Sequence, residues 1–312
     1  MPEKRVTNDD LAKIMDTSDE WIRSRTGIGE RRITEEKTTA NLAAGAARKA
    51  LDDSGMEACE IELILVATST PEYYFPNTAC EVQAAIGAEN AAAFDLSAAC
   101  SGFIFALNTA HAFLQSGMYR NALVIGADVM SKVVDWKDRS TCVLFGDGAG
   151  AVVIRSEDSE EEGIRQGIMG SDGKGGEVLT CRARSNANFL TGKEPDTDYL
   201  YMNGQEVFKF AVKKVPECIT RLLEETKTEK EEITYFLLHQ ANYRIIEAAA
   251  KRLKLPIEKF PMNIEHYGNT SGASIPILLD EMNRRGELKR GDKLVLAGFG
   301  AGLTWGAMLL TW

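Results

Sequence analysis

Six cysteines and three histidines are the obvious reactive side chains of this 312-residue sequence, and one cysteine sits where a thiol can serve as a nucleophile. Cys100 lies in Asp95-Leu96-Ser97-Ala98-Ala99-Cys100-Ser101-Gly102-Phe103, between a short apolar run and an apolar helical pattern. A thiol that opens a helix faces the positive end of the dipole and unpaired backbone N–H groups, which favour thiolate. Ala98, Ala99 and Gly102 leave space for a substrate. Cys59, Cys80, Cys142, Cys181 and Cys218 lack this context and read as buried structural cysteines.

A nucleophilic thiol wants an imidazole nearby. His111 lies eleven residues along the same helical pattern, about 16 Å away at a rise of about 1.5 Å per residue, so it cannot touch the sulfur. His239 closes the apolar run Phe236-Leu237-Leu238 and opens His239-Gln240-Ala241-Asn242, at the carboxyl end of an expected strand. Open α/β sheets collect their ligands at that edge. His266, flanked by bulky Glu265 and Tyr267, ranks below it. Asn269, in Tyr267-Gly268-Asn269-Thr270-Ser271-Gly272, reads by itself as a turn residue.

The elements that must carry these residues alternate. An Ala-rich helix is expected from Thr39 to a stop at Ser54-Gly55, then a buried strand over Ile61–Ala67. Further strands are expected at Ala91–Leu96, Ala122–Ala127 and Cys142–Phe145, with a helix near 101–116. A helix over about 205–224, the charged turn Lys227–Glu232 and strand Ile233–Leu238 repeat that order. FGDGAGAVVI (145–154) resembles GFGAGLTWGAMLL (298–310); both are glycine-rich turns feeding an apolar strand. The repeat points to two related α/β halves, 1–160 and 161–312. A dinucleotide loop must open a helix, whereas GDGAG leads into a strand, so its glycines serve tight turns and close backbone approach instead. The acidic stretch SEDSEEE (156–162) reads as a solvated connection.

Composition closes off several classes. Apolar residues at 44% and charged residues at 26% are ordinary for a globular chain. A net charge of −10 argues against a nucleic-acid or anionic-membrane surface, so an acidic ligand needs a local basic patch. No apolar run is long enough to span a bilayer. The polar N-terminus MPEKRVTNDD and the scattered cysteines suit a cytoplasmic, reducing setting. Three histidines make a metal cage hard to build.

As a set, DLSAACSGFIFAL, FGDGAGA, HQANYRII, GNTSGASIP and GFGAGLTWG resemble β-ketoacyl-acyl-carrier-protein synthase III, the initiating condensing enzymes of type II fatty-acid synthesis. The resemblance runs in order over nearly the whole chain. It implies a thiolase-like fold of two pseudo-symmetric, five-layered α/β halves, and a homodimer. It matches Cys100, His239 and Asn269 to the catalytic cysteine, histidine and asparagine. Asn269 thus rises from turn residue to catalyst. The backbone N–H groups of Cys100 and Ala301 match the oxyanion hole. Thr17, Trp21 and Arg25 match residues that hold the adenine end of coenzyme A, and Arg139 matches an arginine that sandwiches the adenine against Trp21. Phe75 matches a phenylalanine that reaches across the dimer to close the partner's acyl tunnel. Lys209, Arg244, Lys251 and Arg252 offer a basic face for the acidic carrier protein; Arg244 and Lys251, seven apart, share one helix face.

The implied reaction is a decarboxylative Claisen condensation of a short acyl-CoA, acetyl-CoA above all, with malonyl-acyl-carrier protein. CoA enters as substrate thioester, with no metal or other cofactor. A degradative thiolase needs a second cysteine in the last glycine-rich loop, which here is GFGAG, and elongating enzymes need a histidine where Asn269 stands. A priming synthase using other acyl-CoAs, or an inactive binding homologue, are the remaining alternatives. The family opens with a core strand ahead of the segment seen here as PEKRVTNDDLAKI, so that strand is expected to be missing.

Overall fold

A computed structural model describes residues 1–158, 162–183, 185, 187, 190, 192 and 198–312. Up to residue 158 the elements are β1 (Arg5–Thr7), α1 (Asn8–Ala12), α2 (Asp19–Thr26), β2 (Glu30–Arg32), α3 (Thr39–Ser54), β3 (Leu63–Ala67), α4 (Thr78–Ile86), β4 (Ala92–Leu96), α5 (Gly102–Gln115), β5 (Asn121–Val129) and β6 (Asp147–Arg155). Then follow β7 (Gly163–Ser171), β8 (Leu179–Thr180), β9 (Tyr201–Met202), α6 (Gly204–Thr226), β10 (Tyr235–Leu238), α7 (Tyr243–Leu253), α8 (Ile264–Tyr267), α9 (Ser274–Arg284), β11 (Lys293–Gly300) and β12 (Thr304–Thr311).

Local chemistry explains the main boundaries. The Thr38 hydroxyl accepts the Asn41 N–H at the start of α3, and Gly55 ends the helix in the left-handed region at φ 68°. All five residues of β3 are buried, as befits a central strand covered on both faces.

Two four-stranded sheets form, in the orders β4-β3-β5-β6 and β10-β11-β12-β7. β3 is parallel to β4 and β5, and β6 returns antiparallel along β5. β10 is parallel to β11, followed by antiparallel β12 and β7. Among the described residues β7 covers the edge of β12, whereas no strand pairs with the outer edge of β6.

The apolar clusters set the layers. α3 and α4 cover one face of the first sheet through Leu42, Ala47, Leu51, Ala79 and Val82. α5 and α9 lie between the sheets, with Phe103, Leu107, Ile275 and Leu278 against Leu63, Leu65, Leu294 and Leu296. α6 and α7 close the far face through Ile219, Leu222, Ile246 and Ala249. The result is five layers, helix–sheet–helix–sheet–helix, the thiolase-like arrangement.

Two expectations are corrected. Residues 142–144 form turns and Phe145 only an isolated bridge to Asn269, and the strand follows at Asp147. Two carbonyls a strand would give to a neighbour are taken elsewhere: Arg31 Nη2 donates to the Val143 carbonyl at 2.7 Å, and the Asn269 N–H to the Leu144 carbonyl at 2.8 Å. Among the cysteines, Cys59 and Cys181 are exposed and Cys80 is half-buried, because each lies outside the four apolar clusters. The close approach expected of the GDGAG glycines is present, but inside β6. A Cβ at Gly150 would come within 2.7 Å of the Ile277 nitrogen, so α9 seats directly on this strand. Of the acidic run at 156–162, residues 159–161 lie outside the described residues.

Candidate active site

Parallel strands and the two central helices converge on one point. Cys100 lies in a short 3-10 turn (Ala99–Ser101) that leads from β4 into α5. Another such turn (Ser271–Ala273) leads into α9. His239 directly follows β10, and Ala301 directly follows β11. These are the carboxyl ends of parallel strands, where open α/β sheets expose their connections.

Cys100 is buried, and its thiol donates to Ser271 Oγ at 3.5 Å. Burial pushes the thiol up to about 12, against the thiolate expected from its helix-opening position. Desolvation is the largest cause, and the nearby Asp128 charge adds to it. Cys100 therefore rests as a thiol. Gly300 is the residue that lets the last glycine-rich loop reach it. A Cβ there would stand 2.7 Å from the Cys100 nitrogen and 3.1 Å from the Ser101 nitrogen, so any side chain would push this loop off the Cys100 turn. Thr304 fastens the same junction, bonding Ser101 Oγ at 2.7 Å and the Ala301 carbonyl at 2.9 Å.

His239 is 1% exposed, with its ring edge-on to Phe299 at 5.3 Å between centroids. Burial lowers its imidazole to about 3, so the ring is neutral at any working pH. Ser274 Oγ lies 2.7 Å from Nδ1 and also accepts the Gln240 N–H at 3.3 Å. When the Ser274 hydroxyl donates to Nδ1, the ring proton sits on Nε2. In that tautomer His239 is a hydrogen-bond donor.

Asn269 is held at both backbone groups. Its N–H donates to Leu144 and its carbonyl accepts from Gly146 at 3.0 Å, in a bridge beside Phe145. Its Oδ1 accepts the Ser271 N–H at 2.8 Å, which leaves the Nδ2 protons as donors. With the ring proton on Nε2, His239 and Asn269 both present N–H groups, as a developing oxyanion requires.

The other expected residues form two further groups. Arg25 lies 4.9 Å and Arg139 5.3 Å from the Trp21 ring centroid, and Arg139 also bonds the Asp16 carbonyl at 2.6 Å. Ser18 caps α2 and Gly27 ends it in the left-handed region, which fixes Trp21 on this lip. Thr17 Oγ1 is buried beside it without a partner. A flat base can stack on Trp21 once a guanidinium draws back. Arg244, Lys251 and Arg252 share α7 while Lys209 is on α6. Arg244 donates to the Ser24 carbonyl at 2.9 Å, Arg252 pairs with Glu217 at 3.5 Å, and Lys209 with Glu206 at 2.8 Å. Phe75 is 86% exposed, next to exposed Tyr73 and Tyr74. His111 sits half-buried along α5 and His266 on the surface. Among the described residues no three His, Cys, Asp or Glu side chains gather as a metal cage.

Sequence reading missed Ser271, Ser274, Phe299 and Asp128. Asp128 left a trace: a carboxylate closing the apolar run Ala122–Ala127, fully buried in the fold.

Comparison with known proteins gives a consistent result. The family profile described as 3-oxoacyl-[acyl-carrier-protein (ACP)] synthase III matches residues 94–173, and that for its C-terminal part matches 223–312. The chain is 55% identical over 313 residues to a β-ketoacyl-[acyl-carrier-protein] synthase III of Clostridium acetobutylicum, covering 100% of this chain and 96% of that protein. The crystal structure of 3-oxoacyl-[acyl-carrier-protein] synthase III from Aquifex aeolicus superposes with a TM-score of 0.93 at 47% identity, covering 100% of this chain and 97% of the other. A priming β-ketosynthase from the R1128 polyketide pathway reaches 0.91 at 36% identity, covering 99% and 92%.

Proposed function

The chain belongs to the 3-oxoacyl-[acyl-carrier-protein] synthase III family, and from that premise we propose how its residues carry out the condensation that initiates fatty-acid synthesis. What supports the reading is a buried thiol bonded to Ser271 Oγ, the N–H of that same residue holding the Asn269 carboxamide, and a buried, neutral His239 bonded to Ser274 three residues on. Cys100 attacks an acyl-CoA thioester and CoA leaves. The amides of Cys100 and Ala301 receive the oxyanion of that step. Malonyl-acyl-carrier protein binds next, and His239 Nε2 and Asn269 Nδ2 donate to its thioester oxygen. Loss of CO₂ leaves an enolate held by those donors, and its carbon attacks the acyl-cysteine to release the β-ketoacyl product.

Thr17, Trp21, Arg25 and Arg139 are the CoA lip in this reading, and Lys251, with Lys209, Arg244 and Arg252, belongs to the carrier-protein face. Residues 1–160 carry the nucleophile and 161–312 the two donors; separate sheets built from 63–155 and 163–311 support that division. A homodimer is supported by Phe75, which stands clear of its own core. Six free cysteines fit a reducing cytoplasm.

The primer is acetyl or a small relative, because a phenyl ring closing the tunnel excludes long chains by overpacking. Intact-protein mass spectrometry after mixing with acetyl-CoA and octanoyl-CoA checks this: acetyl should label Cys100 first. Faster octanoyl labelling would favour a priming synthase for longer acyl groups, the second reading that the R1128 likeness keeps in view.

His239 gives a pH expectation. Its folded pKa of about 3 lies below the ordinary 6.5, so the neutral donor persists across the whole working range. The same shift means that stability is complete above the unfolded value and falls as pH drops from 6.5 toward 3. Release of CO₂ from malonyl-carrier protein should therefore show no inflection near 6.5. A loss of rate centred there would place a titrating imidazole in the step.

A further inference from the structure

Arg31, on β2, is 0% exposed, and the mechanism above gives it no task. A guanidinium buried in this way is costly unless a carboxylate pairs with it. The oxygens that Arg31 bonds are all uncharged: Nη1 donates to Asn8 Oδ1 at 2.8 Å and to the Val6 carbonyl at 3.3 Å, and Nη2 donates to the Val143 carbonyl at 2.7 Å. Its Nε is buried and has no partner among the described residues. We propose that the guanidinium fork of Arg31 is a positioning device for Asn269: by fixing the segment 143–146, it sets where the Asn269 carboxamide points during decarboxylation. The inference rests on Asn269 being a donor in that step.

Asn269 hangs on this segment by its backbone. The Leu144 carbonyl accepts the Asn269 N–H at 2.8 Å, and the Gly146 N–H donates to the Asn269 carbonyl at 3.0 Å. The segment belongs to no sheet, since residues 142–144 are turns and Phe145 makes only the isolated bridge to Asn269. A strand ladder therefore does not hold it in place. The fork of Arg31 holds Val143, directly ahead of the Leu144 carbonyl that takes the Asn269 N–H.

The stem of Arg31 lies in the same junction. A Cβ at Gly146 would come 2.4 Å from the Tyr267 carbonyl oxygen and 3.1 Å from Arg31 Cβ. One at Gly268 would come 2.8 Å from the Leu144 carbonyl oxygen and 3.4 Å from Arg31 Cβ. Gly146 and Gly268 thus let the segment, the Asn269 loop and the Arg31 stem pack directly together. A shift of one is passed to the others.

The fork is itself fixed. Asn8 is 1% exposed, and its Nδ2 donates to the Ile28 carbonyl and to Asp19 Oδ1, both at 2.8 Å. Its two amide protons are thereby used, and Oδ1 is left to accept from Arg31. Arg31 spans Asn8 on one side and Val143 on the other, a planar two-armed task that an ammonium cannot copy. Donors to a developing oxyanion act through exact placement, so losing the fork should weaken the transition state more than substrate binding.

Arg31→Met keeps the length of the side chain and removes every donor. Release of CO₂ from malonyl-carrier protein should fall by about 10²-fold in kcat, the cost of a group misplaced by about 1 Å, with KM little changed. Labelling of Cys100 by acetyl-CoA should stay at the wild-type rate. It is measured at saturating acetyl-CoA, because Asn8 also bonds Asp19 on α2, next to the proposed CoA lip. The decisive arm is the double variant Arg31→Met/Asn269→Ala. If Arg31 acts through Asn269, the double variant should be no slower in CO₂ release than Asn269→Ala alone. Should Arg31→Met fail to fold, Arg31→Lys, which keeps the charge but not the fork, replaces it in each arm with an expected loss of about 10-fold. Wild-type CO₂ release by the folded variant overturns the inference. So does a loss that multiplies with that of Asn269→Ala, or one shared equally with acetylation, which marks a purely structural role. Normal CO₂ release by Asn269→Ala alone overturns the donor assignment instead.

Discussion

Cys100→Ser is expected to abolish acyl-enzyme formation while leaving malonyl decarboxylation at least partly intact. Burial already pushes the thiol up to about 12, and a hydroxyl in the same place gives up its proton far less readily. The attacking anion is then out of reach near neutral pH. Decarboxylation asks something different of the site. It needs an oxyanion stabilised at the thioester oxygen, and the donors proposed for that are His239 Nε2 and Asn269 Nδ2, neither of which is held by the sulfur. The check is paired: labelled acetyl transfer to protein, and labelled CO₂ from malonyl-carrier protein. Acetyl label on Cys100→Ser at the wild-type rate would refute the assignment.

Asn269→Ala should produce the reverse pattern. Cys100 should still become acetylated, because its thiol is bonded to Ser271 Oγ and not to the Asn269 carboxamide. The enolate would lose one of two donors in a buried setting. Removal of one such donor typically costs about 10²–10³-fold in rate, and condensation should fall by that much. Loss of the side chain leaves the Asn269 backbone bridge to Leu144 and Gly146 in place, so the loop keeps its course. The Ser271 N–H does lose its acceptor, which makes the acetylation arm the control for local disturbance. Normal condensation by this variant would remove Asn269 from the mechanism.

The two donors were not equally legible in the sequence. His239 follows an apolar strand, and Cys100 separates a strand from a helix; both placements are visible in hydrophobic pattern alone. Asn269 is not, because an asparagine among glycine, threonine and serine has the same neighbours whether it turns the chain or donates to a substrate. The role proposed for it depends on the turn at 144–146, more than a hundred residues earlier, which holds its backbone. The charge state of Cys100 was misread for a related reason. A helix start is local and visible, whereas the burial that outweighs it comes from the turn before α9 and the loop after β11. Ser274 and Ser271 look in sequence like ordinary residues at a helix start. Only the packing of α9 and the turn before it against β10 and the Cys100 turn brings their hydroxyls to His239 and Cys100.

The strands and helices were easier to read because they follow periodicity, and the 142–145 segment shows where that rule stops. Its composition is that of a strand, yet Arg31, fully buried on β2, takes one of its carbonyls. Long-range polar contacts of this kind leave no periodic mark.

The most direct test of the account is intact-protein and peptide mass spectrometry through one turnover. The enzyme is incubated with acetyl-CoA alone, sampled, and then chased with malonyl-carrier protein. The account predicts a single acetyl group on the peptide containing Cys100, which disappears in the chase as acetoacetyl-carrier protein forms. An acetyl group found on another residue, or one on Cys100 that persists while product accumulates, would contradict it.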